Sequence, residues 1–251
     1  MSIKFKDHFS EQSDNYDKYR PQYPEQMFSY LSSISKSHQM AWDCATGTGQ
    51  SAICLSKFYS KIIGTDASKS QIESATKNDK VEYIVAPAEN TNLEKDSIDL
   101  ITVAQALHWF DLDRFTEEVD RVLKNQGVLA VWTYNLLQIQ EDIDEVINHL
   151  YGVILKDYWP KERGLVEEGY DSIQFPYTPL HVPLFHMTAE WNMFQLLGYL
   201  NTWSAVKKYQ LETGINPIDS IYENILGLWG EPEKAVPITW PLSLKVWLKD
   251  T

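Results

Sequence analysis

The segment Asp43-Cys44-Ala45-Thr46-Gly47-Thr48-Gly49-Gln50-Ser51 sets a carboxylate immediately ahead of a turn with two glycines. Glycines in such a turn let the backbone approach a nucleotide-like ligand closely. A second acid, Asp66, closes the next apolar run, where a carboxylate can accept hydrogen bonds from both hydroxyls of a ribose. Gly47 to Ala52 also satisfies the G-x-G-x-x-G/A pattern of dinucleotide sites, so two cofactor chemistries compete. Asp43 separates them. A pyrophosphate at a helix N-terminus wants positive potential, which a neighbouring carboxylate opposes, whereas an ammonium and a sulfonium are favoured by it. Acids beside a tight turn can be plain surface groups, but two at the ends of successive strands point to a ligand.

These groups need strands and helices to hold them. Met40-Ala41-Trp42, Lys61 to Thr65, Val81 to Val85, Ile98 to Val103 and Gly127 to Trp132 read as five strands. Between them lie helical stretches at 50–58, 68–78 and 113–123, with another at 25–34 after Pro24. Such alternation predicts an α/β fold, a Rossmann-like, doubly wound and mostly parallel sheet covered on both faces. After Tyr134 the alternation stops. Helices are expected over 142–156, 189–208 and 217–229, then a terminal strand over 236–248 broken at Pro241. The simplest division is a cofactor-binding core of residues 1–135 and 213–251 with an inserted helical, aromatic lid over 136–212.

With 251 residues, one main domain carrying an insertion is expected. Lysine and arginine total 22 against 35 aspartates and glutamates, a net charge of −13 that repels a phosphate backbone, so no nucleic acid partner is expected. The two cysteines, Cys44 and Cys54, cannot build a disulfide framework or a cysteine zinc site, and suit a reducing compartment. His181 and His186 bracket a proline without a ligand cluster to complete them, so no metal is expected. No apolar run approaches the roughly 20 residues of a membrane span, and the first ten residues lack a signal-peptide plan; a soluble, cytoplasmic protein is expected.

Residues 1–134 resemble, in order, the class I S-adenosylmethionine-dependent methyltransferases. The likeness rests on the acid and glycine turn at 43–49, Asp66, the pair Ala88-Glu89, and Asp99-Leu100-Ile101 entering the fourth strand. Ala45 stands where that pattern usually has its first glycine, and cofactor binding is expected to survive the change. Three further stretches are similar to trans-aconitate methyltransferase-like proteins: Tyr16 with Arg20-Pro21-Gln22-Tyr23-Pro24, Gln105-Ala106-Leu107-His108-Trp109-Phe110-Asp111, and Thr202-Trp203-Ser204-Ala205. The resemblance implies transfer of a methyl group from S-adenosylmethionine to a small-molecule acceptor, a carboxylate that becomes a methyl ester. It also implies that Asp43, Thr46, Gly47 and Gly49 hold the methionine end of the cofactor and Asp66 its ribose. Ala67, Pro87, Ala88 and Glu89 would border the adenine, Gln105 and Ala106 would underlie the sulfonium, and Tyr16 and Arg20 would complete the cofactor site.

On the acceptor side, a carboxylate is ionised at neutral pH, so it needs no general base. His108 is therefore expected to orient the acceptor beside Trp109; capping the next helix or packing under Trp109 is an equal account of it. Of four arginines, Arg114 and Arg121 share a predicted surface helix and read as a solvated face. Arg20 is assigned to a carboxylate, the cofactor's in preference, and Arg163 to the substrate, although an exposed lid charge is the more ordinary account of Arg163. Trp203 is a candidate pocket wall among the lid's aromatics. Three alternatives stay open: a phenol, quinol or amine acceptor with His108 as base, a nicotinamide-dependent oxidoreductase, and a non-catalytic cofactor-binding module.

Overall fold

A computed structural model describes residues 21–250; Tyr16 and Arg20 lie outside the described residues. The apolar runs form β1 (Met40–Cys44), β2 (Lys61–Asp66), β3 (Val81–Val85), β4 (Ile98–Ala104) and β5 (Leu123–Tyr134), all parallel, in the order β3-β2-β1-β4-β5. Three later strands, β6 (Thr178–Pro179), β7 (Phe185–Trp191) and β8 (Val236–Leu248), complete the sheet. β8 runs antiparallel to β5, and both β6 and β7 pair with β8. The chain winds outward in both directions from β1 and β4. Ligands of open α/β sheets bind beyond the carboxyl ends of the strands at such a switch point.

Successive side chains of a strand pass to opposite faces, and both faces here are apolar. Leu100, Val128, Ala130 and Trp132 enter one core; Ile101, Val103, Leu129 and Val131 enter the other. Helix α1 (Glu25–Ile34) covers the first with Met27, Phe28 and Leu31. Two short helices, α2 (Gln50–Leu55) and α3 (Lys69–Glu73), follow the glycine turn and Asp66. Helix α4 (Leu112–Val122) covers the second core with Phe115, Val119 and Val122. No helix among the described residues is long and apolar enough to cross a membrane.

Differences from expectation concentrate after Tyr134. The expected helix over 142–156 is α5 (Glu141–His149) followed by a π-turn, Leu150–Ile154, and a 3-10 turn. A short α6 (Arg163–Glu167) comes next. Residues 189–191, expected to open the helix over 189–208, belong instead to β7, because Met187 and Trp191 fall on the buried side of an alternating run. Helix begins only at Asn192, whose side chain forms a reciprocal cap with Gln195; it runs as α7 (Met193–Asn201), breaks at Thr202 and Trp203, and resumes as α8 (Ser204–Thr213). The expected helix over 217–229 is a 3-10 turn followed by α9 (Tyr222–Trp229). β8 is unbroken at Pro241. That proline sits between the Gln138–Thr239 bridge and the Tyr134–Leu242 pair, where no ladder bond to the β5 side requires its missing N–H. Segment 136–212 thus supplies two strands to the main sheet besides its helices, and Leu150, Leu196 and Trp191 join the same core as Met27.

Candidate active site

The glycine turn is shaped by left-handed backbone. Gly47 has φ 57° and Gly49 φ 91°, and Ala45 is held at φ 55°. A side chain in that region costs about 1–2 kcal/mol, which accounts for glycine being the usual residue at position 45 of the pattern. Gly49 is needed a second time over, because a Cβ there would lie 2.0 Å from Tyr83 Oη. The Thr46 N–H donates to Thr65 O at 2.8 Å and ties the turn to β2.

Asp43 lies beneath the turn and is 1% exposed. Its carboxylate accepts from Thr46 Oγ1 at 2.5 Å and from Thr102 Oγ1 at 2.7 Å. Burial pushes its pKa up to about 6; those hydroxyls and the Ala52 N–H pull it back, and the Asp66 charge adds to the rise. Its oxygens are committed to the protein, so its influence on a ligand is through its charge. Asp66 Oδ2 accepts from the Gly47 N–H at 2.9 Å and Oδ1 from the Ser68 N–H at 2.8 Å, which joins the tips of β1 and β2 around one carboxylate. Two acids, a left-handed turn and no Lys or Arg within 43–51 fit a cationic adenosyl donor better than a diphosphate.

Ala67 is half-buried just beyond Asp66, while Pro87 is exposed and Ala88 buried. Glu89 accepts from the Asp111 N–H at 3.0 Å and so caps the entry to α4. The loop carrying Ala88 and Glu89 is anchored further along by Glu118, which is 6% exposed and accepts from Thr91 N and Oγ1. Arg121 pairs with Glu118 and donates to Leu93 O and Thr91 O. Arg121 is therefore a clamp on that loop, not part of a solvated face; helical spacing places Glu118 beside it but cannot reveal the Thr91 and Leu93 carbonyls, which come from another stretch of the chain.

At the tip of β4, Gln105 is left-handed at φ 54°. Its Nε2 donates to Tyr134 O at 2.9 Å and its Oε1 accepts from Thr133 Oγ1 at 2.6 Å. Ala106 is buried and Trp109 exposed. His108 Nδ1 lies 2.8 Å from Tyr170 Oη, and its ring centroid is 4.7 Å from that of Trp109. Burial first, and the Arg163 charge second, push His108 down to about 4, so the imidazole is neutral at pH 7. Arg163 is half-buried. Its Nε donates to Tyr151 Oη at 2.9 Å and its Nη2 to Asn135 Oδ1 at 3.2 Å. The guanidinium lies 5.1 Å from the Trp159 ring centre and 5.5 Å from that of Tyr151. Trp203 closes the cluster, 5.6 Å from Trp159. Among the described residues Arg163 forms no ion pair.

Sequence reasoning missed Tyr170, Thr133, Thr102, Asn135 and the pairing of Glu118 with Arg121. Tyr170 is fully buried at φ 64° directly after Gly169 at the same φ. A Gly-Tyr pair in a loop was the one available signal, and it is not distinctive.

Residues 42–131 match the family described as a methyltransferase domain. A Dictyostelium discoideum protein named as a methyltransferase is 31% identical, covering 95% of this chain and 94% of its own length. A Saccharomyces cerevisiae protein described as an S-adenosylmethionine-dependent methyltransferase is 27% identical, covering 86% of this chain and 87% of its own. Among solved structures, a type II methyltransferase from Anaeromyxobacter dehalogenans superposes with a TM-score of 0.88 at 38% identity, covering 92% of this chain and 98% of that one.

Proposed function

The chain belongs to the S-adenosylmethionine-dependent methyltransferases, and on that premise we propose that its acceptor is a small organic acid, held by Arg163 and methylated on a carboxylate oxygen. The supporting observation is Arg163 itself: a half-buried guanidinium, walled by Tyr151 and Trp159, with no ion pair among the described residues and close enough to His108 for its charge to depress the imidazole. A guanidinium in that setting matches a carboxylate bidentately.

S-adenosylmethionine supplies an activated methyl group on a sulfonium. The chain's own work is then binding and alignment, and holding reactants in line can account for about 7–11 kcal/mol of barrier lowering. In this reading Asp43 contributes negative potential beneath the turn, Thr46, Gly47 and Gly49 contribute backbone to the methionine end, and Asp66 faces the ribose. Ala67, Pro87, Ala88 and Glu89 border the adenine, and Gln105 and Ala106 underlie the reacting centre. His108, Trp109, Arg163 and Trp203 surround the acceptor. Segment 136–212 serves as the lid that keeps water from it. Tyr16 and Arg20 lie outside the described residues, and their cofactor role stands on the motif likeness. The trans-aconitate methyltransferase-like stretch at 105–111 agrees with an acidic acceptor, in a soluble, cytoplasmic enzyme.

A phenol or amine acceptor would need a base, and a histidine with a pKa near 4 is a weak one at neutral pH. Labelled-methyl transfer into organic acids and their matched amides tests the proposal. Acids should be methylated and amides not, and Arg163→Ala should raise the acceptor KM about tenfold or more without changing the KM for S-adenosylmethionine. Equal turnover of acids and amides, or an unchanged acceptor KM in Arg163→Ala, would overturn it.

A further inference from the structure

Arg163 is held by hydrogen bonds as well as by the rings around it. Its Nε donates to Tyr151 Oη at 2.9 Å and its Nη2 to Asn135 Oδ1 at 3.2 Å. A guanidinium only donates, so the phenol oxygen accepts in the first bond, and the phenol's own hydrogen goes to Glu167 Oε1. Burial above all pushes the Tyr151 phenol up to about 12, and it keeps that hydrogen at neutral pH. Arg163 and Glu167 begin and end α6, four residues apart, the spacing at which a base and an acid on one helix pair directly. They form no ion pair. Tyr151, from the π-turn Leu150–Ile154, takes the place between them, and such turns recur at functional sites. Its place is fixed: Trp159 Nε1 donates to Tyr151 O at 3.1 Å, and the Tyr151 ring centroid lies 4.7 Å from that of Trp159 and 5.9 Å from that of Trp203.

We propose that Tyr151 is a positioning residue that keeps Glu167 off Arg163 and so reserves the end of the guanidinium for the carboxylate of the methyl acceptor. The assignment rests on Arg163 binding that carboxylate, as proposed above. Without the phenol, Glu167 would neutralise the arginine of its own helix and compete with the acceptor for it. With the phenol in place the acid has another use: it orients Tyr151, and Tyr151 Oη orients Nε. Because Nε–H is committed to the phenol, two parallel bonds to a carboxylate can form only end-on, across Nη1 and Nη2. Among the described residues, those two nitrogens keep three hydrogens without a partner.

Steady-state kinetics on the full chain tests this, with whichever of succinate, citrate and trans-aconitate the wild type methylates fastest as the acceptor. Tyr151→Phe frees Glu167 to pair with Arg163 and should raise the acceptor KM about fivefold, the size of a part-exposed ion pair, with the KM for S-adenosylmethionine unchanged. Adding Glu167→Gln to Tyr151→Phe should bring the acceptor KM back to within about twofold of wild type, a rescue that a tyrosine needed only for packing would not show. A Tyr151→Phe enzyme with the wild-type acceptor KM, or a double variant as impaired as the single one, would overturn the proposal. Glu167→Gln alone should leave the acceptor KM within about twofold of wild type, and this decides if the phenylalanine variants do not fold. A severalfold fall there would mean that the acid already competes for Arg163 in the wild type, against the proposal. Methylation of none of the three acids, or an unchanged acceptor KM in Arg163→Ala, would instead sink the acceptor class and the role of Tyr151 with it.

Discussion

Asp43 changes charge close to neutrality, since burial pushes it up to about 6. Above that pH it is an anion beneath the turn and favours a cationic donor; below it the field is lost. Affinity for S-adenosylmethionine, measured by calorimetry between pH 5 and 8, should therefore weaken as pH falls through 6. Asp43→Asn should bind about tenfold more weakly at pH 7 and show no such step. Stability runs the other way. A folded pKa above the unfolded value means that Asp43 stabilises the fold at low pH, and that contribution disappears as pH rises through 6. At pH 7 Asp43→Asn should accordingly unfold at a higher temperature than wild type, since the asparagine amide can still bond to Thr46 and Thr102 once one hydroxyl turns. Weaker binding with greater stability would mark a charge kept for function. His108, depressed to about 4, has the opposite linkage: its stabilisation is present above the usual histidine range and is lost as pH falls toward 4.

Gly49 links a turn to a strand two crossovers away. Its Cβ position is occupied by the Tyr83 phenol, which is pinned by its own bond to Thr76 O at 2.9 Å. Gly49→Ala should cost about 3 kcal/mol, from overpacking and a left-handed alanine together. Adding Tyr83→Ala should recover the packing part and leave the backbone part, a comparison that thermal unfolding of the single and double variants makes directly. The glycines at 47 and 49 were legible in the sequence as a ligand turn; that Gly49 is also required by Tyr83 was not, because the contact is made across the sheet. Core strands were legible throughout, since apolar runs between turn residues admit little else. The start of the helix expected over 189–208 was not: Phe185 to Trp191 is short enough to satisfy either period, and pairing with β8 decides for strand.

Across the whole molecule the net charge of −13 opposes the approach of any anionic acceptor, the class proposed for Arg163. Raising salt from about 10 to 150 mM shortens the range of that repulsion, so kcat/KM for an anionic acceptor should rise severalfold while that for a neutral one stays level. A fall with salt would mean that local positive potential governs the encounter. Segment 136–212 is no separate body in its packing, for Trp191 and Tyr199 meet Trp240 of β8 with ring centroids 5.0 and 5.6 Å apart.

By itself the sequence determined the mostly parallel sheet and the strand ends at which the two acids and the glycine turn stand. Local pattern carries these, because a strand's two-residue period and a turn's need for glycine are written in neighbouring residues. Only the tertiary structure decided that Asp43 is spent on two threonine hydroxyls, that Arg121 clamps the loop beside Ala88, that Arg163 lies caged near His108, and that Tyr170 stands behind His108. Each of these is a polar group buried against a partner distant in sequence or on another element, and such a group is stable only where the folded chain supplies its hydrogen bonds.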